Sequence, residues 1–229
     1  MSTTASRRPG RPPAAKADET RQRIMQAARL VFSERGYDGA TFQAIAARAD
    51  LTRPAINHYF STKRLLYREV LGQTNEIVIR AAIREAQRET MLTGRLTAFI
   101  SAAVRANSDN PAVSAFLITA VLESQRHPEL SLTENDSVKI GREFLTWAVG
   151  EAIEHGEVAA DIDAAALVET LVVLLCGVGF YAGYVRSYEE LLAVTDVLRR
   201  LLEGALWPPK PDPAPRTPAA VRSRTKRIG

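Results

Sequence analysis

Apolar residues recur at helical spacing along almost the whole chain, and this period restricts the fold more than any other feature of the sequence. Ile24, Ala27, Ala28, Val31 and Phe32 show it clearly, because they fall at i, i+3, i+4, i+7 and i+8 and so line one side of a helix. We find no run in which apolar and polar residues alternate, the pattern typical of strands. The sequence therefore predicts an all-α fold with about nine helices.

Glycines, prolines and charged residues set the predicted limits of these helices. Asp18 and Glu19 place negative charge at the start of the first helix, and Gly36 ends it. The other predicted helices are Thr41–Ala49, Arg53–Phe60, Ser61–Glu89, Leu92–Ala106, Ala112–Ser124, Asp136–His155, Ala164–Arg186 and Tyr188–Leu206.

Charge is distributed very unevenly along the chain. Residues 1–68 carry 13 Lys and Arg against 5 Asp and Glu, residues 69–207 carry 11 against 20, and residues 208–229 carry 6 against 1. The basic charge of residues 1–68 and the acidic charge of residues 69–207 indicate that only the N-terminal part, the basic front, approaches a polyanion. Basic tails that merely aid solubility would explain the two ends of the chain, but not the ordered basic stretch between them.

The stretch Thr41–Phe60 has the features of two short helices that meet at a steep angle. Ala46 is small enough for the backbones to come close, and Asp50 tolerates the positive φ that the turn requires. The inward-facing apolar set is Ile45, Ala49, Leu51, Ile56 and Phe60. A plain helical hairpin would also have alanine-rich helices, but the coincidence of small residue, turn and inward set, next to a basic flank, favours a DNA-binding helix-turn-helix.

The second helix of this motif turns a polar face outward. Arg53, Asn57 and His58 are the predicted base readers, because their side chains can pair with base edges in the major groove. Tyr59 lies on the flank of the same helix. Thr41, Thr52, Tyr59 and Lys63 are predicted to contact phosphate. The complete predicted surface is Thr41, Thr52, Arg53, Pro54, Ala55, Asn57, His58, Tyr59 and Lys63, together with Arg7, Arg8 and Arg11 of the N-terminal arm.

The arm contains Arg7-Arg8-Pro9-Gly10-Arg11-Pro12, which resembles an AT-hook that lies in the minor groove of A·T-rich DNA. A phosphate-binding arm without base preference is equally consistent with this composition. We divide the chain into a disordered basic arm (1–17), a helix-turn-helix DNA-binding domain (18–64), a larger helical domain for ligand binding and dimerisation (65–207) and a disordered basic, proline-rich tail (208–229).

Residues 18–72 resemble the TetR family of bacterial regulators. The matching positions are Ile24–Gly36, Thr41, Ile45, Ala46, Ala49, Leu51, Thr52, Ile56, Phe60 and Lys63. The resemblance implies a homodimer that binds a palindromic operator and is often released by a small-molecule effector. The family usually has Gly at the position of Asp50 and Tyr at that of Asn57, followed by an aromatic residue and His where His58 and Tyr59 stand, so its base preference does not transfer to this chain.

The last two predicted helices are apolar on more than one face, which favours dimerisation through them. The predicted interface residues are Leu171, Leu174, Val178, Gly179, Gly183, Leu191, Val194, Leu198 and Leu201. One or two of the aromatic residues of the larger domain are expected to touch a ligand. The candidates are Phe99, Phe116, Trp147, Phe180 and Tyr181.

Other classes of protein are disfavoured. Cys176 is alone and is expected to be a small buried residue in a reducing compartment, and the apolar run from Leu167 to Val185 is expected to be a buried helix rather than a membrane span. Gly177-x-Gly179-x-x-Ala182 loosely fits a dinucleotide fingerprint, but no strands are predicted that could form the sheet it needs.

We find no catalytic motif, metal-ligand pattern or cofactor motif. The sequence thus predicts a cytoplasmic DNA-binding repressor that senses a small molecule and has no enzymatic activity. The alternative is a ligand-independent DNA-binding protein whose larger domain only dimerises.

Overall fold

The computed structural model describes residues 13–130, 136–159, 161–185 and 187–206, and within these ranges every regular element is helical. In chain order the α-helices are α1 (Pro13–Gly39), α2 (Phe42–Arg48), α3 (Arg53–Tyr59), α4 (Lys63–Asn75), α5 (Ala81–Ala86), α6 (Leu92–Asp109), α7 (Pro111–Arg126), α8 (Ser137–Glu154), α9 (Ala164–Tyr184) and α10 (Tyr188–Leu202). A π-helical turn, Glu76–Arg80, joins α4 to α5 without a break. If these three segments are counted as one helix, the described residues contain the nine helices that were predicted.

Most predicted limits differ from the structure by a few residues, and both limits of the first helix do. Helix α1 begins at Pro13, inside the predicted arm 1–17, because Ala14, Ala15 and Lys16 continue its helical path and Pro is compatible with the first turn of a helix. Gly36 has φ 67° and kinks α1 as expected of a stop residue, although helical residues continue to Gly39. The predicted tail 208–229 lies outside the described residues.

We call α1–α4 the head and the remainder, from the π-helical turn to α10, the body. The head folds around Ile24, Phe32, Ile45, Ile56 and Phe60, all of them 0% exposed. The ring of Phe32 packs edge-on against Tyr67 of α4 at 5.0 Å between ring centroids. These contacts come from the helical spacing of the sequence and hold α2 and α3 at fixed angles to α1 and α4.

Phe116 of α7 enters the core of the head, so the two parts of the molecule share one apolar interior. Its side chain is fully buried, and its ring lies 5.5 Å from that of Tyr67 and 6.3 Å from that of Phe32. Burial raises the pKa of the Tyr67 phenol, with the nearby Glu123 carboxylate adding to the effect. A movement of α7 must therefore displace side chains in the core of the head.

The body contains two further apolar clusters. One lies between α5, α6, α8 and α9, around Phe99, Phe144 and Leu145. The other lies between α6, α9 and α10, around Ile100 and Leu191. Helices α7 to α10 each begin at a side chain that accepts a backbone N–H, which fixes where they start. These caps are Asn110, Asp136, Asp163 and Ser187.

Candidate DNA-recognition surface and effector cavity

The turn between α2 and α3 is held by short polar contacts. The Thr41 hydroxyl accepts the Ala44 N–H at 3.1 Å and starts α2, and the Thr52 hydroxyl accepts the Ala55 N–H at 3.4 Å and starts α3. Between them Asp50 has φ 52°, the positive value that its place in the turn predicts. Its carbonyl oxygen accepts a bond from the Arg23 guanidinium of α1 at 3.2 Å, which ties the turn to the rest of the head.

Helix α3 divides into a buried and an exposed side as predicted. Ile56 lies in the core, whereas Arg53, Asn57 and His58 are exposed. Among the described residues, the Arg53 and Asn57 side chains have no hydrogen bond or ion pair, and the His58 ring packs edge-on against Tyr59. The exposed side can therefore present donors and acceptors to the floor of a major groove. Pro54 is exposed and Ala55 partly so, next to these side chains.

Thr41, Thr52 and Tyr59 lie at the edges of this face. Thr41 and Thr52 are exposed, and a hydroxyl that accepts one backbone N–H can still donate its own proton to a phosphate oxygen. Tyr59 is half-buried and packs against the core of the head. Seven of the predicted contact residues of the helix-turn-helix, at the starts of α2 and α3 and along α3, are thus exposed or partly exposed, and Tyr59 is half-buried.

Lys63 makes contacts within the chain, and its predicted phosphate contact stays a prediction. Its ammonium donates to the carbonyl oxygens of Tyr37 at 2.7 Å, Ala40 at 3.1 Å and Asp38 at 3.4 Å, and it lies 4.3 Å from the centre of the Tyr37 ring. These carbonyls end α1, where a cation is favourable. The side chain therefore ties α4 to the end of α1.

Arg64, which the sequence analysis missed, is exposed in the first turn of α4 next to Lys63. It is a second candidate for the phosphate contact predicted at the start of α4. The signal in the sequence was the pair of adjacent basic residues after the Thr62 cap. Only the fold shows which of the two is used internally. Arg7, Arg8 and Arg11 of the arm lie outside the described residues.

A cavity of about 270 Å³ lies in the body between the π-helical turn, α6, α7, α8 and α9. Its walls are almost entirely apolar. The lining residues are Ile79, Phe99, Leu117, Ile118, Val121, Leu122, Ser137, Val138, Gly141, Arg142, Leu145, Val172, Leu175, Cys176, Gly179 and Phe180. A concave, mostly apolar space with few polar groups is typical of a small-molecule site.

Two of the five aromatic residues predicted for ligand binding, Phe99 and Phe180, line this cavity. The other three do not. Phe116 belongs to the core of the head, Tyr181 packs against α6 and α10, and Trp147 lies outside against the Arg95 guanidinium at 4.4 Å from its ring centre. Aliphatic side chains form most of the cavity, and no aromatic pattern in the sequence could have indicated them.

Within the single chain most residues of the predicted dimer stripe are buried or partly buried, and dimerisation through them stays a prediction. Leu171 and Leu191 are buried within the chain, and Leu174, Val178 and Leu198 pack inside against the cluster of α6, α9 and α10. Gly183 makes its close approach to Ala115 and Ile118 of α7, within the same chain, and Gly179 lines the cavity. Only Val194 and Leu201 of the predicted residues are exposed.

The exposed apolar surface lies opposite the predicted stripe on α9 and overlaps it on α10. On α9 Val173 is 71% and Phe180 60% exposed, and on α10 Val197 is 52% exposed beside Val194 and Leu201. We call these five residues the outer face. The helical spacing of apolar residues alone could not have predicted the outer face. Helix α9 is apolar on all sides, and α10 is an amphipathic helix with this exposed apolar stripe added.

Helix α9 is also long and apolar enough to cross a membrane by length and composition, over Ala164–Gly183, and only 17% of its most apolar window is buried within the chain. The expectation of a buried helix is therefore wrong for the single chain. Cys176, expected to be buried, is exposed on α9. Its partly apolar surroundings raise the pKa of the thiol. No group of three metal-ligating side chains occurs in the part of the chain that the structure describes.

Comparison with known proteins agrees with this geometry. Residues 24–70 match the family described as bacterial regulatory proteins, tetR family. The HTH-type transcriptional regulator UidR of Escherichia coli (strain K12) is 25% identical over 163 residues, 71% of this chain and 81% of that protein. The HTH-type transcriptional repressor BepR of Brucella suis biovar 1 (strain 1330) is 39% identical over 72 residues, 30% of this chain and 34% of that protein.

The fold has close counterparts among solved structures. The transcriptional regulator FadR from Bacillus subtilis, solved in complex with stearoyl-CoA, has a TM-score of 0.65 at 18% identity, covering 81% of this chain and 99% of that chain. At this identity the likeness shows the fold. Together with the recognition motif, it defines a helix-turn-helix regulator of transcription with a helical body. Within that class the head of the chain, over residues 24–70, matches the tetR family, and this agrees with the fold, the family resemblance and the general function predicted from the sequence.

Proposed function

We propose that the chain acts in the cytoplasm as a homodimeric repressor that occupies a palindromic operator and leaves it when a small molecule fills the cavity of the body. The exposed side of α3 carries the DNA-binding part of this proposal, because Arg53 and Asn57 stand free on a helix that is fixed at both ends. The basic front of the chain supplies attraction to the DNA backbone. The proposal assigns the chain no enzymatic activity.

The outer face of α9 and α10 supports dimerisation. Val173, Phe180, Val194, Val197 and Leu201 form apolar surface that a single chain leaves in water. Burying such a surface against its own copy is the usual solution for a regulator whose operator has two-fold symmetry. The same burial would account for the low burial of α9 in the single chain without a membrane.

Two sets of contacts support coupling between cavity and head. Ser137 lines the cavity, and its hydroxyl donates to the Asn75 amide oxygen at 2.7 Å. The preceding residue, Thr74, accepts the Nε–H of Arg29 at 3.0 Å. Arg29 belongs to α1 and is 2% exposed, so this polar path runs from the cavity wall into the head. Burial of a guanidinium lowers its pKa, as it does here, and makes such partners costly to lose.

The π-helical turn provides a second coupling element. It separates α4 of the head from α5 of the body, and its Ile79 lines the cavity. A π turn holds one more residue than an α turn, and it can return to the α form if the register of the next helical segment shifts. A ligand that pushes on Ile79 would therefore bias the position of α4. The FadR structure contains stearoyl-CoA, which supports a ligand site in a body of this shape.

Selection of binding sites from random DNA, followed by footprinting, tests the proposal. We expect a palindrome whose half-site centres are about 34–36 Å apart or a multiple of that distance, as for a two-fold pair of recognition helices. Binding that is uniform over all sequences would contradict a regulator with base readers on α3. A palindrome that no compound affects would favour the alternative, a dimer that binds DNA without an effector.

A further inference from the structure

The lining of the 270 Å³ cavity contains a positively charged side chain and no negatively charged one. Of the lining side chains only Ser137, Arg142 and Cys176 carry a polar atom, and no lining residue is a carboxylate. The Ser137 hydroxyl is already bonded to Asn75. The guanidinium is therefore the one charged group that a ligand in this cavity meets, within the part of the chain that the structure describes. An ammonium head group would face a like charge without any counter-ion in the lining.

Arg142 is placed to bind a head group at the edge of the cavity. Its side chain is 42% exposed, so one end of the guanidinium faces water while the stem contributes to the wall. It donates Nε–H to Glu169 Oε1 at 2.6 Å and Nη2–H to Glu169 Oε2 at 3.3 Å. A guanidinium has five N–H donors, so an arginine bound to one carboxylate in this way can still donate to a second.

The space behind Arg142 extends inward. A second cavity of about 80 Å³ shares part of its wall with the first, including Phe99, Leu117 and Gly179. Its remaining lining is almost wholly apolar, with Ser114 as its polar member. A flexible aliphatic chain fits two adjoining apolar spaces of this kind better than a rigid polycyclic molecule of similar volume.

We infer that the effector is an anionic amphiphile, with a short aliphatic tail inside the cavity and a carboxylate or similar anionic head on Arg142. The inference rests on the proposed function, since it names the ligand of the site proposed there. The head group competes with Glu169 for the guanidinium. Arg142 belongs to α8 and Glu169 to α9. Ligand binding therefore replaces the ion pair between these two helices with an ion pair between Arg142 and the ligand. Helix α9 also carries Val173 and Phe180 of the outer face, so the exchange reaches the proposed subunit contact.

Direct binding of three compounds with the same tail tests this class of ligand. Decanoate, decanol and decyltrimethylammonium are titrated into the full-length protein below their micellar concentrations, with calorimetry and thermal shift as the readouts. We expect decanoate to bind at least about tenfold more tightly than either of the others, which is the ordinary worth of a charge-assisted hydrogen bond. Equal binding of the three, or a preference for the ammonium compound, overturns the inference.

Two pairs of variants separate the site from general effects of charge or packing. Arg142→Gln is expected to remove the preference for decanoate. Arg88→Gln, which removes another exposed arginine paired with a glutamate, is expected to keep it. Gly141→Leu places a side chain in the cavity where a Cβ meets no atom within 4 Å, and it should block all binding. Gly150→Leu makes the same change on the exposed side of α8 and should not. Unchanged decanoate affinity in Arg142→Gln or in Gly141→Leu would contradict the assigned site.

Release of DNA is measured separately, so that the two proposals can fail independently. If decanoate binds through Arg142 but leaves the protein on its selected operator, the class of ligand stands and the effector mechanism fails. If decanoate does not bind and a cationic or neutral compound releases the operator, the mechanism stands and the inferred class is wrong.

Discussion

The head and the body bury their apolar residues to different degrees. In the head Ile24, Val31, Ile45 and Ile56 are at most 1% exposed, and the outward surface of α3 is polar. In the body Leu122, Val173, Phe180 and Val197 are each more than half exposed. The head is thus complete as a single chain and rigid enough to hold base readers, whereas the body has surface left for a partner and space left for a ligand.

The largest expected effect is that of removing a large side chain from the core of the head. Phe60→Ala should lower the free energy of unfolding by about 3–5 kcal/mol, because its fully buried ring leaves a cavity under α3. Phe180→Ala removes the same ring from an exposed site and should change it by less than about 1 kcal/mol in dilute, monomeric protein. Denaturant unfolding compares the two variants, and similar losses would contradict the difference between head and body.

Placing a charge on the outer face should separate the subunits. Val197→Asp is expected to weaken the dimer on the order of a hundredfold or more, since the carboxylate would be buried without a partner. Leu192→Asp is the matched control, because Leu192 is similarly exposed but lies on the other side of α10, near Thr97 and Ser101. Sedimentation equilibrium measures both. If Leu192→Asp dissociates the dimer and Val197→Asp does not, the subunit contact is elsewhere.

Deleting residues 2–12 should flatten the salt dependence of DNA binding, by up to about three units of slope per chain. The deletion removes Arg7, Arg8 and Arg11 and leaves α1 intact from Pro13. A loss of affinity that is larger on A·T-flanked than on G·C-flanked sites would favour minor-groove binding by the arm, and an equal loss would favour contact with phosphate alone. An unchanged slope would remove the arm from the interface.

Asp50→Gly should have the smallest effect. Asp50 has φ 52°, a value that costs most residues free energy and costs glycine little. We expect the substitution to stabilise the head by up to about 1 kcal/mol without changing its base preference. Ala49→Gly, one residue earlier in the right-handed region, is the control and should destabilise it. Thermal unfolding distinguishes the two directions, and destabilisation by Asp50→Gly would show that the aspartate side chain supports the turn.

The head could be predicted from the sequence more fully than the body. Ile45, Ile56 and Phe60 have a single apolar side to their helices, so the period alone indicates which way they face. Helix α9 is apolar on every side, and the period therefore could not tell Leu171, which is buried, from Val173, which is exposed. Lys63 was predicted to contact phosphate. The carbonyl oxygens that it binds lie 23 or more residues away in sequence, and the local sequence pattern could not indicate them.

The central claim is that Arg53 and Asn57 read bases while Lys63 supports the fold, and base-by-base binding profiles test it most directly. Affinity for the selected operator and all its single-base variants is measured for each alanine variant at one salt concentration. We predict that Arg53→Ala and Asn57→Ala cost about 1–3 kcal/mol on the operator and lose preference at particular positions. Lys63→Ala should lower the stability of the head and leave the base preferences as they were. Unchanged profiles for Arg53→Ala and Asn57→Ala in folded protein would contradict the account.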